Sequence, residues 1–390
     1  MKMKLMKLML SLVFLSIPIN ALPLLFSHYP VLKEKIPHIE LGDFPTPVQQ
    51  LKNLNTDLCQ LYIKRDDLSG TKLADGRHRY GGNKVRKLEF LLAQALVEGA
   101  KTVMTFGCAG SNHAVATSIY AQCLGLKCAV LLKPQANSYN VQKNLLLHQY
   151  HGTQLHYYEN NELRACGAKK VYDELTQDDG TPPYIIPTGG SNSLGALGFV
   201  NAAFELAEQI KEGLLPEPHY IYVACGSCGT VAGLLLGCRL VGLSSTLVCV
   251  AVEPESETGD LEKEIKKVFY ETNELLRRSD AILPLVAYPS EHIIITHEHA
   301  GADYGIFTQE AMQAKELMQE KEHIVLDGTY TSKAFAALIS KSKKQKEEPI
   351  LFWDTFCGFE IEPAQYNSYK NLPSPLCAYF ESSTQESSTL

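Results

Sequence analysis

The chain has 390 residues, of which 36 are Lys or Arg and 43 are Asp or Glu, so its formal net charge is -7. Hydrophobic residues make up 45% and charged residues 20%, which is typical of a folded globular protein and excludes disordered, collagenous and coiled-coil chains. The acidic balance, without any concentrated basic stretch, argues against nucleic acid as a partner.

The first 21 residues resemble a secretory signal. Lys2, Lys4 and Lys7 precede an apolar run at 8–17, and prolines interrupt that run before it reaches the ~20 residues that a membrane span needs. A membrane anchor is the alternative interpretation. We predict a signal-like segment at 1–21 that favours export over a cytoplasmic location, and no stable membrane span.

From about residue 83 onward, short β-rich runs alternate with helical patterns, which predicts parallel sheets covered by helices. In chain order, the predicted elements are a helix at 84–98, a strand at 102–106, a helix at 112–124, a strand at 128–132, a helix at 139–150, strands at 154–158 and 184–187, a helix at 194–211, a strand at 220–224, a helix at 229–241, a strand at 247–252, helices at 308–319 and 332–340, and a strand at 350–353.

The turn at 188–195 separates two groups of predicted strands. The fold class is therefore α/β, with two doubly wound parallel-sheet lobes and a ligand site between them, at the carboxyl ends of the strands. We assign 22–82 and 196–365 to a larger lobe and 83–195 to a smaller lobe. A polar tail at 366–390 is expected to be partly disordered, because its Ser, Thr, Glu and Gln residues cannot bury apolar surface.

The first candidate for chemistry is the sequence GGNK at 81–84, directly before a predicted helix. The glycines free the backbone, and Asn83 is expected to cap the helix, which places Lys84 on its first turn. A cation there opposes the helix dipole, and burial lowers the pKa of a lysine further, so a neutral, nucleophilic amine is favoured. Lys84 is therefore a candidate Schiff-base lysine; the alternative is an ordinary surface lysine.

The second candidate is the sequence CGSCGT at 225–230, between a predicted strand and a predicted helix. A glycine-rich turn at a helix N-terminus presents N–H groups that can hold a phosphate. An ordinary turn of small residues is the alternative. The two cysteines form a C-x-x-C pair, but no second pair or histidine cluster accompanies them, so we predict no metal site.

The third candidate is the sequence GCAGSNH at 107–113, again between a strand and a helix. Ser111 is either a catalytic hydroxyl or simply the N-cap of the helix. Asn112 and His113 either bind a ring oxygen or a substrate carboxylate or complete the cap. Tyr304 and Tyr330 precede helices and either present hydroxyl groups to a cleft or fill the core.

Taken together, these motifs resemble one known family. They are KRDD at 64–67, GGNK at 81–84 followed by RKLE at 86–89, GSNH at 110–113, GSCGT at 226–230, and the segment 327–333. In this order and spacing, from about residue 41 to 358, the sequence resembles the pyridoxal-phosphate enzymes of fold type II, whose fold is like that of the tryptophan synthase β chain. It is most similar to the family of D-cysteine desulfhydrases and 1-aminocyclopropane-1-carboxylate deaminases.

The resemblance implies a role for each matching residue. Lys84 looks like the Schiff-base lysine, Lys87 and the 226–230 loop like phosphate ligands, and Asn112 like the partner of the 3′-oxygen of the cofactor. The implied cofactor-binding residues are Lys84, Lys87, Asn112, Gly226, Ser227, Cys228, Gly229, Thr230 and Thr355. The implied catalytic residues are Lys84, Ser111, Tyr304 and Tyr330. The implied substrate-binding residues are Ser111, Asn112 and His113.

The residue at the pyridine nitrogen helps to choose the reaction. By the resemblance this residue is Thr355, which is neutral, and Thr331 rather than Glu follows Tyr330; a carboxylate there would protonate the nitrogen, as in the cyclopropane deaminases. We therefore expect α,β-elimination from a small, D-cysteine-like amino acid, giving pyruvate, ammonia and sulfide. The alternatives are deamination of 1-aminocyclopropane-1-carboxylate and a pyridoxal-phosphate-binding protein without turnover.

Three departures from the family pattern leave the substrate's identity and hand open. Gly110 stands where the family usually has Gln, Thr329 stands where it has Pro, and Phe356-Cys357 replaces a glycine pair. The resemblance also implies a small amino acid as the partner and a homodimer as the assembly.

Overall fold

The computed structural model describes residues 23–54, 60–342, 348–359 and 369–388. The predicted signal-like segment at 1–21 lies outside these residues. Within them, no helix combines the length and the apolar character that crossing a bilayer requires. Two sheets with helices on both faces form the molecule.

The strands of the described part of the chain are β1 (Val48–Gln50), β2 (Leu61–Arg65), β3 (Thr102–Cys108), β4 (Lys127–Lys133), β5 (Gln154–Tyr157), β6 (Tyr184–Ile186), β7 (Tyr220–Cys225), β8 (Thr246–Ala251), β9 (Ile293–Thr296) and β10 (Ile350–Asp354). The helices are α1 (Leu24–His28), α2 (Leu32–Lys35), α3 (Lys84–Val97), α4 (Asn112–Cys123), α5 (Tyr139–Tyr150), α6 (Asn161–Asp179), α7 (Ser193–Lys211), α8 (Gly229–Leu240), α9 (Glu255–Thr258), α10 (Leu261–Ser279), α11 (Gln309–Glu322), α12 (Thr331–Ser342) and α13 (Ser374–Cys377).

A six-stranded sheet forms the large lobe, in the order β1-β2-β10-β7-β8-β9. All its neighbours pair in parallel except β1, which pairs antiparallel with β2 at the edge. Alternate side chains of β7, β8 and β10 enter two cores, one covered by α7, α8 and α10 and the other by α11 and α12. Burial on both faces explains why these strands are almost continuously apolar.

A four-stranded, all-parallel sheet forms the small lobe, in the order β5-β4-β3-β6. Helices α3, α4 and α5 cover one face and α6 the other. The predicted α/β class with two parallel-sheet lobes is confirmed. The assignment of 83–195 to the small lobe and of the flanking ranges to the large lobe stays a prediction.

The first and last residues of each predicted helix and strand differ from the observed bounds by at most three residues. The sequence reading omitted β1, β2 and β9, which are short, and also α6 and α10. Helix α10 carried a usable signal, because Leu261, Ile265, Val268 and Phe269 recur at helical spacing and are buried.

A buried ion network fixes the start of α3 against the large lobe. Arg86 of α3 donates to the carboxylates of Asp66 and Glu205, and Lys64 of β2 also pairs with Glu205. None of these side chains is more than 3% exposed. Burial by itself would raise the pKa of Glu205, but Arg86 and Lys64 lower it to about 2, so the carboxylate stays charged.

The partly disordered polar tail at 366–390 stays a prediction. The described residues 369–388 include the short helix α13 and place Leu372, Leu376 and Tyr379 in the core beside α4 and α5. Three apolar anchors within a polar stretch are enough to dock it, because each buries apolar surface on a preformed core.

Candidate active site

A cavity of about 260 Å³ opens between the two lobes, at the carboxyl ends of β3, β4, β7, β8 and β10. This is the position at which open parallel sheets bind ligands. The predicted residues that line it are Lys84, Ser111, Asn112, His113, Gly226, Ser227, Cys228, Thr230, Tyr304, Tyr330 and Thr355. Lys87 and Gly229 lie behind the wall.

Lys84 is the first residue of α3 and lines the cavity. Burial lowers the pKa of its amine to about 8, and no carboxylate raises it again. Among the described residues, none forms an ion pair with this amine. The amine is therefore available as a neutral nucleophile at mildly alkaline pH.

Asn83 does not cap α3 with its side chain, so that prediction was wrong. Its backbone is already helical, and its Nδ2 donates across the cavity wall to Thr230 Oγ1, at 3.2 Å. Its own N–H donates to Thr355 O, at 3.1 Å. Asn83, the residue before Lys84, is thus hydrogen-bonded to two walls of the cavity.

The turn into α3 requires glycine at position 82, two residues before Lys84. It has a φ of +91°, and an added Cβ would lie 2.9 Å from Thr355 O. A side chain at this position would force α3 away from the end of β10. The turn therefore sets how deeply Lys84 enters the cavity.

The turn between β7 and α8 lines the cavity where the sequence predicts an anion-binding wall. Cys228 is in the left-handed region, with a φ of 64°, and precedes the first turn of α8. Within the described part of the chain, the N–H groups of Ser227 and Thr230 donate no backbone hydrogen bond, and that of Cys228 faces the Cys225 thiol. Free N–H groups at a helix N-terminus are suited to a phosphate.

A second turn, at 188–191, supports this wall. Ser191 Oγ accepts from Gly229 N–H at 3.2 Å and contacts Ser227 Oγ at 2.9 Å. Lys87 Nζ donates to Ser191 Oγ at 3.1 Å and to Gly189 O at 3.0 Å. Lys87 therefore reaches the wall from behind as a hydrogen-bond donor, although burial and the neighbouring Lys84 lower the pKa of its amine.

Ser111 caps α4 and also lines the cavity, so its two proposed roles are compatible. Its Oγ accepts from Ala114 N–H at 3.2 Å, which leaves its own proton for a ligand. Asn112 follows it in the first turn. Its Oδ1 accepts from Tyr80, Asn140 and Asn144 at 3.0–3.2 Å, so Nδ2 is the group that can donate to a ligand.

His113 is 3% exposed and lies beside Lys84 and Lys87. Thr105 donates its hydroxyl to Ile186 O and so accepts from His113 Nε2 at 3.0 Å, which leaves Nδ1 as an acceptor. Nδ1 has no partner among the described residues. Burial, reinforced by Lys84 and Lys87, lowers the pKa of His113 well below its usual value, so the ring is neutral.

Tyr304 and Tyr330 meet at the opposite side of the cavity, where their hydroxyl groups form a hydrogen bond. Burial raises the pKa of both phenols. Both hydroxyl groups therefore stay protonated at neutral pH. The Asp327 carboxylate, through hydrogen bonds from N–H groups of 329–331, holds the turn that carries Tyr330.

Thr355 lines the cavity directly after β10. Its neighbour Asp354 is fully buried, and burial raises the pKa of that carboxyl well above its usual value. Thr331 lies at the start of α12, where its hydroxyl donates to Asp327 at 2.8 Å. The side chain that Thr355 presents to the cavity is uncharged, although the carboxyl groups of Asp327 and Glu253 also line the cavity.

The C-x-x-C pair does not form a disulfide, because Cys225 Sγ and Cys228 Sγ are 4.0 Å apart. Among the described residues, no group of three or more His, Cys, Asp or Glu side chains could hold a metal ion. The pair instead fills the base of the anion-binding turn as buried thiols.

Sequence reasoning missed several residues of the cavity wall. Lys133, at the end of β4, and Glu253, after β8, both line the cavity, and their position after predicted strands was the signal that could have found them. Arg164 lines it from α6, a helix that was not predicted, and donates to Gly107 O at 3.1 Å.

The structure also shows what stands beside Gly110. Gln135 reaches over from the loop after β4, and its Oε1 accepts from Gly110 N–H at 3.0 Å. A Cβ at position 110 would lie 3.0 Å from Gln135 Nε2. The carboxamide of Gln135 therefore occupies the space that a side chain at 110 would need.

Comparison with known proteins identifies the same family on independent grounds. Residues 39–355 match the family model described as pyridoxal-phosphate dependent enzyme. A protein of Pyrococcus furiosus named putative 1-aminocyclopropane-1-carboxylate deaminase is 33% identical over 83% of this chain and 93% of its own length. A Klebsiella pneumoniae protein named D-cysteine desulfhydrase is 38% identical over 82% of this chain and 94% of its own length.

Solved structures agree with this similarity. A crystal structure of a 1-aminocyclopropane-1-carboxylate deaminase homologue has a TM-score of 0.69 and 34% identity, and the match covers 84% of this chain and 94% of that one. A hydrogen sulfide-producing enzyme of Fusobacterium nucleatum has a TM-score of 0.55 at 15% identity, over 80% of this chain and 94% of that one, and it shares the fold alone.

Proposed function

Because the chain belongs to the family of pyridoxal-phosphate-dependent enzymes, we propose that it catalyses α,β-elimination from a small, D-cysteine-like amino acid. The products are pyruvate, ammonia and sulfide. The observation that carries the proposal is a low-pKa amine, Lys84, that shares one cavity with an anion-binding turn, a pair of protonated tyrosines and a neutral Thr355.

The residues present fit pyridoxal phosphate. The N–H groups of Ser227 and Thr230 can hold its phosphate, Lys84 can bond to its aldehyde, and Asn112 Nδ2 can donate to its ring oxygen. When bound, the cofactor supplies an electron-withdrawing ring that makes the Cα proton of the substrate acidic.

Lys84 acts as the base in this mechanism. Once its amine is free, it accepts the Cα proton of the substrate, because burial has lowered its pKa to about 8. The bond from Cβ to sulfur then breaks, and the electron pair leaves with the sulfur. Lys84 therefore carries out both cofactor attachment and proton transfer.

Ser111 and Asn112 orient the reacting molecules. Ala114 N–H donates a hydrogen bond to Ser111 Oγ, so the serine O–H is left to donate a hydrogen bond to the substrate carboxylate. Donors around Asn112 Oδ1 prevent the amide from turning. A fixed donor costs little reorganisation when charge develops. We propose that His113 also helps to orient the reacting molecules, with its unprotonated Nδ1 as a hydrogen-bond acceptor.

The tyrosine pair stabilises the leaving group. Because burial raises the pKa of Tyr304 and Tyr330, each keeps its proton at neutral pH, and one hydroxyl supports the other through their hydrogen bond. The departing sulfur is a weaker base than either phenolate, so it accepts a hydrogen bond from this pair and leaves as hydrosulfide without taking the proton. Water then hydrolyses the released unsaturated product to pyruvate and ammonia.

The neutral wall at Thr355 favours elimination over ring opening. Thr355 cannot protonate a pyridine nitrogen, and burial raises the pKa of the neighbouring Asp354 carboxyl, which disfavours a charged carboxylate there. Thr331, the residue after Tyr330, uses its hydroxyl on Asp327. No carboxylate thus replaces the glutamate expected of a ring-opening enzyme at this position.

A substrate panel tests the proposal. The purified holoenzyme is given D-cysteine, L-cysteine and 1-aminocyclopropane-1-carboxylate separately, and sulfide, pyruvate and 2-oxobutyrate are measured. We expect sulfide and pyruvate in equal amounts from D-cysteine, and no 2-oxobutyrate. Release of 2-oxobutyrate without sulfide would instead assign ring-opening deamination, which the names of the Pyrococcus relatives support. Turnover of none of them would leave a cofactor-binding protein.

We further propose that the chain forms a homodimer, as the resembled family does. Light scattering on the holoenzyme measures its mass in solution. A mass near 86 kDa, roughly twice that of one 43.2 kDa chain, is expected for a dimer.

A further inference from the structure

The C-terminal segment is anchored on the small lobe next to the cavity. Tyr379 is 9% exposed, and its carbonyl accepts from Asn137 Nδ2 at 2.8 Å and from Gln142 Nε2 at 2.7 Å. Its hydroxyl accepts from Gln135 N–H at 3.1 Å. Residues 379–385 therefore start from a fixed point on the loop between β4 and α5.

Gln385 then connects this anchor to the large lobe. Its main-chain N–H donates to Asn137 O at 3.1 Å. Its side-chain Nε2 donates to Gly305 O at 3.0 Å, and its Oε1 accepts from Phe307 N–H at 2.9 Å. The nitrogen and the oxygen of the Gln385 carboxamide thus both bond to the main chain of residues 305–307.

That stretch directly follows Tyr304. Phe307 packs against the turn that carries Tyr330. The contact is close enough that a Cβ added at Gly328, in that turn, would lie 2.5 Å from the Phe307 ring. Gly305 packs against Gln135, whose Cγ would lie 2.9 Å from an added Cβ. The loop is therefore held from the small lobe on one side and from the C-terminal segment on the other.

This arrangement sets the position of a hydroxyl group that lines the cavity. Tyr304 is joined to Tyr330 through its hydroxyl, but its main chain is part of a loop without regular secondary structure. A loop of this kind is placed by the bonds that its ends make. Gln385 supplies two of those bonds.

We propose that Gln385 is a positioning residue for the elimination reaction, which acts by holding the loop 305–307 so that Tyr304 stays over the cavity. The inference rests on the proposed function for its effect on turnover. Its structural part, the attachment of the loop, stands independently of the substrate. A misplaced hydrogen-bond donor to the leaving group slows the chemical step more than it weakens substrate binding.

The test uses Gln385→Met in the full-length holoenzyme, which keeps the length of the side chain and removes its two hydrogen bonds to the loop together with a longer one, 3.3 Å, to Asn137 O. We expect the amide of Phe307 to exchange with deuterium at least threefold faster. We also expect kcat for sulfide release to fall roughly tenfold while KM changes less than twofold. Glu381→Gln is the matched control, because Glu381 accepts a hydrogen bond from Tyr369 within the same segment.

A second comparison separates positioning from general stability. In a Tyr304→Phe chain, Gln385→Met should lower the remaining kcat less than twofold, because the group that it positions is already gone. An equal loss of kcat with and without the Tyr304 hydroxyl would overturn the proposal, as would unchanged exchange at Phe307. If the wild type releases no sulfide from D-cysteine, the proposed function fails, and the exchange experiment still decides whether Gln385 holds the loop.

Discussion

At the scale of single residues, Lys84 differs from Lys87 in what surrounds its amine. Lys87 is fully buried and donates to Gly189 O and Ser191 Oγ. Lys84 lines the cavity, and burial lowers its pKa to about 8 without a carboxylate to oppose the shift. An amine that attacks a carbonyl must be both neutral and free of acceptors. Of the two, Lys84 meets both conditions.

Replacing Lys84 by Ala should remove the covalent attachment of the cofactor. Borohydride reduction of the wild-type holoenzyme, followed by peptide mass spectrometry, should find the cofactor on the peptide that contains position 84. The Lys84→Ala chain should show no reduced adduct and no sulfide release. An adduct on Lys87 or any other lysine of the variant would refute the assignment.

The lowered pKa also predicts how attachment depends on pH. The reactive form is the neutral amine, so the rate at which the apoprotein binds pyridoxal phosphate should rise roughly tenfold per pH unit below the pKa. It should level off above a pH of about 8. Stopped-flow absorbance of the bound cofactor measures this rate. A rate that still increases up to the ordinary lysine value of 10.5 would show that burial does not perturb Lys84.

At the scale of elements, helix α8 depends on close contact at its first residue. A Cβ on Gly229 would lie 2.6 Å from Ser191 Oγ and 3.0 Å from Lys87 Nζ. Those two side chains support the anion-binding turn from behind. The start of α8 therefore has room for glycine and for no larger residue unless the support moves.

Gly229→Ala should accordingly weaken cofactor binding while the chain remains folded. We expect the Kd for pyridoxal phosphate to rise roughly tenfold, which corresponds to about 1.4 kcal/mol. Fluorescence titration of the apoprotein measures it. Gly242→Ala is the control near the other end of α8: its φ of +77° strains the backbone, but nothing lies within 4 Å of the added Cβ. An equal rise in Kd for both variants would argue against a local effect.

At the scale of the whole molecule, the buried ion network joins the two parts of the chain that flank the cavity. Arg86, two residues after Lys84, bonds to Asp66 and Glu205. Although burial opposes its charge, those carboxylates raise the pKa of Arg86. The network therefore fixes α3 to β2 and α7, and with them Lys84 to the large lobe.

Removing the central cation should be costly. Arg86→Met leaves two buried carboxylates with fewer partners, and we expect the free energy of unfolding to fall by about 3–5 kcal/mol. Urea unfolding of the apoprotein measures the change. Arg77→Met removes an ion pair of similar length with Asp75 that is 70% and 50% exposed, and it should have no measurable effect. Equal effects of the two variants would contradict the role of burial.

Local patterns in the sequence were sufficient for most of the elements and for most of the residues that line the cavity. The central strands of the large sheet are nearly continuous apolar runs, and Ser111, Lys84 and the 226–230 turn stand where a strand ends or a helix begins. Such positions can be read from neighbouring residues, because a parallel sheet brings the ends of its strands to one edge. The resemblance to the family rested on the same short motifs.

Contacts between distant segments were decided only by the tertiary structure. The side chain of Asn83 donates to Thr230 rather than to a group of its own helix. The side chain of Gln135 bonds to Gly110, and that of Gln385 bonds to Gly305 in the loop after Tyr304. None of these pairs is close in the chain. Hydrogen bonds of this kind depend on how the lobes and the C-terminal segment pack, and sequence periodicity carries no information about that packing.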